Sequence, residues 1–267
     1  MPAGSEAARA AESHAARITD LLQPPQTVPD ELLGCWRRDW IRYADGTVDD
    51  TSVVIWLQTC SAMADLRLDS AVLGLAGDDV GGLVECGREQ LLLLANSQSS
   101  SGITRCTALE ADGSATATWH GSIEGVVFQP VSAFPEPGIL SWNENGTVMI
   151  ERAPSGAYVE QWRLLPSTRA PLVHTVLDDG STSGRRTSMY LAGDTAMFVR
   201  DRVVPLRSGT SLADLVAAAD RADAEALVDC EFSFAVRQGN AFVITLSTLP
   251  WRRGAHFVPP IDESARW

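Results

Sequence analysis

A mainly β, antiparallel fold follows from three features of this chain. Short runs rich in Val, Ile, Thr, Trp and Tyr recur along most of its length, Gly- and Asp-containing turns separate them, and helical spacing is confined to a few short segments. Such recurrence argues for a barrel or a sandwich. The 267 residues, 45% of them hydrophobic, are enough for a substantial core.

Residues 4–22 read as an Ala-rich helix with Ser5 as N-cap and Ala8, Ala11, Ala15, Ile18 and Leu22 on one stripe. Gln23-Pro24-Pro25-Gln26 ends it, because proline cannot continue a helix. This gives an arm and linker at 1–27, a barrel domain at 28–254 and a tail at 255–267. Strands are predicted at 33–43, 52–59, 64–68, 115–124, 138–142, 147–152, 157–165, 172–178, 187–193 and 195–201. Residues 230–238 and 241–249 form a hairpin across Gly239-Asn240, a favoured two-residue turn. A short helix and loop are expected within 70–95. Ser211 to Asp214 resembles a capping box opening a helix to about residue 222, with a further short turn at 223–227. Gln98-Ser-Ser-Ser-Gly102 reads as a low-complexity loop, and Trp251-Arg252-Arg253 as a structural closure of the barrel bottom, Arg stacked on Trp.

The charge narrows the function classes. All 21 basic residues are Arg, so a Schiff-base or phosphate-loop lysine has no place here. A net charge of −13 opposes a phosphate backbone, which argues against nucleic-acid binding. The longest apolar run, Leu91 to Ala95, is far short of the ~20 residues of a membrane helix, so no membrane partner is expected. Five scattered cysteines and four scattered histidines have no zinc spacing. The first residues lack the basic and apolar regions of a signal peptide, so a reducing, cytoplasmic setting is expected. No dinucleotide fingerprint, nucleophile elbow or calcium loop is found, and no cofactor or metal is expected. A homodimer is left open.

Residues two apart in a strand share a face. Trp56 and Gln58 therefore form one row, Asp65 and Arg67 a second, Thr118, His120, Ser122 and Glu124 a third, and Tyr158, Glu160 and Trp162 a fourth. Rows that mix large aromatics with polar groups suit the inside of a ligand-sized barrel better than a solvated face. Asp65 and Arg67 read either as an exposed strand face or a structural ion pair or, in the functional sense, with Arg67 as a bidentate oxyanion anchor. His120 reads as a core or rim histidine or as a general acid/base oriented by Glu124 or Glu160, and Glu160 reads as a cap on the barrel rim or, if buried, as a base.

Several segments are similar to one family. Val54-Ile-Trp-Leu-Gln-Thr59 with Ala64-Asp-Leu-Arg67 resembles its most distinctive strand pair. Trp119-His120, Phe128-Gln-Pro130, Trp142, Ile150-Glu151 and Tyr158-Val-Glu-Gln-Trp162 resemble its middle, and Cys230-Glu-Phe-Ser-Phe234 with Ser247-Thr-Leu-Pro-Trp-Arg252 its end. The family is the lipocalin-like (calycin-type) group that contains the fungal Hri protein and bacterial relatives. The likeness spans roughly 33–254 and implies a β-barrel with a central cavity and no family-wide reaction. Glu124-Gly-Val-Val departs from the family's wording after Trp-His, which leaves a shared role for position 124 open.

The expectation is an antiparallel lipocalin-like barrel, or two half-barrels, enclosing a small organic ligand. The favoured function is a cofactor-independent acid/base enzyme of isomerase, cyclase or lyase type acting on a specialised metabolite. Its catalytic candidates are His120, Glu124, Tyr158 and Glu160; its binding candidates are Trp56, Gln58, Asp65, Arg67 and Trp162. A carrier or sensor, and an interaction barrel with a filled interior, are the alternatives.

Overall fold

The computed structural model describes residues 26–75, 80–121, 125–177, 185–207 and 211–258. The helix expected at 4–22, the row members Ser122 and Glu124, and the tail beyond 258 lie outside the described residues.

The first sheet holds β1 (Gly34–Tyr43), β2 (Val48–Asp49), β3 (Val53–Gln58), β4 (Ala62–Leu68), β5 (Ser100–Cys106), β6 (Ala115–His120), β7 (Gly138–Trp142), β8 (Val148–Arg152) and β9 (Tyr158–Leu164). Each strand pairs antiparallel with its neighbour, and β9 returns to pair with β1, so eight strands close into a barrel with β2 as a small flap on β1. Closure leaves no unpaired edge. A bulge between Arg38 and Trp40 re-phases β1, so that Arg38 and Ile41 both turn to the side that faces Trp162 and Glu160.

The second sheet is an open, curled half-barrel of β10 (Leu172–Leu177), β11 (Thr187–Ala192), β12 (Thr195–Arg200), β13 (Glu231–Gln238), β14 (Ala241–Ser247) and β15 (His256–Phe257) in sequential order. The predicted hairpin is present: Gln238 pairs with Ala241 across a turn whose Gly239 has φ +61°. Helices α1 (Ser70–Leu73), α2 (Arg88–Leu94), α3 (Leu212–Ala218) and α4 (Arg221–Val228) fill the space between the lobes. Ser211 caps α3 through Asp214 N at 3.1 Å, as its spacing predicted. The turn expected at 223–227 is a full short helix, capped by Asp220 through Asp223 N at 2.9 Å. Among the described residues no helix is long and apolar enough to cross a membrane.

One shared core joins the lobes. It packs Ile55, Leu57, Ala64 and Leu66 of the barrel wall against Tyr190, Met197, Val199 and Phe232 of the half-barrel and against the helices. Both faces of β3 and β4 are thus buried, which explains the nearly continuous apolar wording of Val53–Gln58. Two expectations are corrected. Ser100 to Gly102 is not loop but the start of β5, pairing with Asp65, Ala64 and Met63; its Ser and Gly carry no periodic signal, and the strand is imposed by the partner. Trp251-Arg252-Arg253 does not close the barrel. Arg252 bonds Glu231 in the half-barrel at 2.7 Å, while Arg253 donates to the carbonyls of Val72, Leu73 and Leu75 at the end of α1.

Candidate functional site

The barrel lumen has two halves. One is plugged by Trp36, Met63, Met149 and Trp162, with Val28 and Leu32 entering from the segment before β1. Trp36 Nε1 is satisfied by Leu32 O at 2.8 Å. Trp56 sits above the plug, its ring edge-to-face with Trp162 at 5.6 Å and Trp119 at 5.8 Å, and its Nε1 donates to Gln58 Oε1 at 3.1 Å. Gln58 is fully buried and also donates to the Thr59 and Ala62 carbonyls, so it holds a strand end.

The other half is polar. Glu151 on β8 and Glu160 on β9 are direct cross-strand partners, which sets two carboxyls side by side in the lumen. Two carboxylates so placed and buried do not both ionise cheaply. Glu160 Oε1 is held by Arg38 at 2.9 Å and by Arg67 at 3.4 Å. Arg38 also bonds Asp49 Oδ2 at 2.8 Å and Ser52 Oγ. Arg67 Nε meets Asp65 Oδ2 at 2.5 Å, and its guanidinium lies 4.3 Å over the Phe134 ring.

Glu151 has neither guanidinium; its Oε1 accepts from Tyr158 OH at 2.9 Å. Burial first, then the charge of Glu160, pushes its carboxyl up to about 8. Glu151 therefore keeps its proton at neutral pH. Burial also raises Asp65, against the pull of Arg67. Burial opposes the Arg67 charge, but Asp65 and Glu160 outweigh it and hold that guanidinium above its ordinary value. Burial and the neighbouring Glu151 raise the Tyr158 phenol.

Above this cluster lies a cavity of about 580 Å³, within the range of small-molecule sites. Trp56, Trp119 and Phe134 supply its apolar wall, Asp65, Arg67 and Glu151 its polar end, and the segment 127–137 its cover. The half-barrel lobe fixes that cover. Arg202 donates to the Val127 and Phe128 carbonyls at 3.0 and 2.9 Å, while Gln129 bonds the Ala95 and Ser97 carbonyls and Leu212 N. Gly125 lets the start of this segment lie on β5: a Cβ there would stand 1.7 Å from Ser101 O.

The inward rows on β3, β4 and β9 are those read from the sequence: Trp56 with Gln58, Asp65 with Arg67, and Tyr158 with Glu160 and Trp162 are buried or nearly so. The row on β6 is not. Ala117 and Trp119 pack with the luminal residues, whereas Thr118 and His120 fall on the opposite side of that strand. His120 is exposed at the cavity mouth, with its Nε2 3.2 Å from Thr118 Oγ1. Glu124 lies outside the described residues. The structure adds Arg38, Glu151 and Phe134 to the predicted set. Alternation with Trp36 and Met149 carries a faint signal for the first two; nothing in the wording of 127–137 marks Phe134 as a wall. Burial pushes the thiols of Cys35, Cys106 and Cys230 up to about 12, so none of them is a thiolate nucleophile at neutral pH.

No family model matches this chain, and no curated protein matches it. Among solved structures it is similar to the crystal structure of an uncharacterized protein from Saccharomyces cerevisiae, at 10% identity over 80% of this chain and 84% of that one, with a TM-score of 0.45. A likeness of that degree assigns neither a family nor an activity to this chain.

Proposed function

We propose that the barrel encloses a small, partly apolar organic molecule and exchanges a proton with it through Glu151. One observation carries this reading: a cavity of about 580 Å³ walled by Trp56, Trp119 and Phe134 ends on a carboxyl that holds its proton up to about pH 8. A group with such a pKa is matched to acid/base work near neutrality. Tyr158 orients Glu151, Arg67 places fixed positive charge beside it, and Arg38 ties Glu160 into an ion pair on the barrel wall. His120 belongs to the rim. Isomerisation, cyclisation or elimination on a specialised metabolite fits this equipment, in a lipocalin-like cytoplasmic protein. A carrier with the same pocket is the competing reading.

Thermal-shift screening of a metabolite collection tests the proposal, with hits repeated on Phe134→Ala and Glu151→Gln. Ligands that stabilise the protein should lose affinity in Phe134→Ala. Chemical conversion that disappears in Glu151→Gln while binding persists identifies the enzyme; binding without conversion identifies the carrier. Hits that bind equally well to Phe134→Ala would place the ligand elsewhere and overturn the reading.

A further inference from the structure

The polar end of the cavity is richer in acceptors than in donors. Three buried carboxyl groups, Asp65, Glu151 and Glu160, face two guanidiniums, Arg38 and Arg67. The Arg67 donors Nε and Nη1 are taken by Asp65 and Glu160. Asp65 lines the cavity, is 8% exposed, and its Oδ1 is buried with no partner. Buried oxygen left in this state is costly unless something donates to it. Arg38 is also shared with Asp49, so four carboxyl groups stand around two guanidiniums. Proton loss from Glu151 adds one more negative charge, beside the faces and edges of Trp56 and Trp119.

We infer that the ligand carries a protonated amine joined to an apolar or aromatic body, the ammonium docking between Glu151 and Asp65 Oδ1 against the indole wall. This rests on the small-molecule reading above and names its charge class. Indole faces attract such a cation, most strongly when it is desolvated, and the carboxyls supply directional acceptors. The exchange balances: the Glu151 carboxyl gives its proton to solvent, and the ammonium takes the proton's place as counter-charge. The groups facing Glu151 are Asp65 and Arg67 on β4 and Tyr158 and Glu160 on β9, with Arg38 on β1 bound to Glu160. His120 and Glu136 are the titratable groups at the mouth. Below the Glu151 titration an amine must displace a proton, so its affinity should rise with pH and level off once Glu151 is ionised.

The test is calorimetry on the full chain with matched arylalkyl amines, alcohols and carboxylates, from benzyl to indolylethyl, in two buffers of different ionisation enthalpy near neutral pH. The amines should bind about tenfold or more tighter than the alcohols and release a proton, with the carboxylates weakest. Glu151→Gln, which keeps the shape of the side chain, should remove both the amine preference and the proton release while alcohols still bind. Alcohols or carboxylates binding as tightly as amines would overturn the charge class and leave the small-molecule reading standing. If no probe of any charge binds, both fall.

Discussion

Two buried carboxylate clusters, one in each lobe, look alike in composition and differ in how fully they are satisfied. In the half-barrel, Glu231 is 1% exposed; its Oε1 accepts from Ser233 Oγ and Arg252 Nε, each at 2.7 Å, and its Oε2 lies 3.4 Å from Arg200. Ser233 continues the network to Ser247 at 2.8 Å. Both carboxyl oxygens are used, with Arg200 Nε the buried donor left over, and the contacts tie β13 to the turn after β14. In the barrel, Asp65 Oδ1 and Glu160 Oε2 are buried without partners, one carboxyl keeps a proton, and a cavity opens beside them. A carboxylate whose two oxygens are both engaged holds a fold together, while one left incomplete beside empty space marks a place where something else completes it.

The comparison can be broken in graded steps. Arg67→Ala should have the largest effect, because it removes the partner of Asp65 and a second partner of Glu160 in the interior; about 3–5 kcal/mol of unfolding free energy should be lost in urea titration. Arg202→Ala should cost about 1.5–3 kcal/mol, the range for hydrogen bonds from a charged group, and should also speed ligand release by loosening the cover at 127–128. A stability loss with an unchanged release rate would show that the cover does not gate the mouth. Glu231→Gln should cost about 1–3 kcal/mol by spoiling a satisfied network. Glu151→Gln at about pH 6 should change stability by under about 0.5 kcal/mol, since it replaces an already neutral group of the same shape.

The same pair sharpens under pH. Glu151 has a folded pKa raised to about 8, above that of the unfolded chain. Between the ordinary carboxylate range and about 8 the folded state therefore binds the extra proton. Stability should be fullest below that window, fall as pH rises through it, and level off above. Urea midpoints measured from about pH 5 to about pH 9 should show this decline in the wild type and in Glu231→Gln, and a flatter profile in Glu151→Gln. A profile unaltered by Glu151→Gln would assign the titration to another group.

Strand-level organisation was legible because alternation survives wherever one strand face is buried. The Gly239-Asn240 hairpin, the capped helix after Ser211 and the rows on β3, β4 and β9 follow from local chemistry. The β5 strand was not legible, since Ser and Gly adopt whatever backbone their neighbours impose. The β6 face was misassigned for a different reason: Ala115, Ala117 and Trp119 form its apolar, inward face, but the inward side was read from the polar row Thr118 and His120. Glu151 escaped notice because its character comes from groups on other strands. Within Val148–Arg152 only the alternation with Met149 hints that it points inward.

Local wording was thus sufficient for a β-rich antiparallel chain with mixed aromatic and charged rows, because backbone geometry and turn preference act over a few residues. The closure of β9 onto β1, the docking of a second curled sheet on the barrel wall and the odd carboxyl at the cavity floor came from contacts between distant segments. Burial and charge coupling are sums over everything packed around a group, and for Glu151 those neighbours lie as far away in the chain as Asp65 and Arg67.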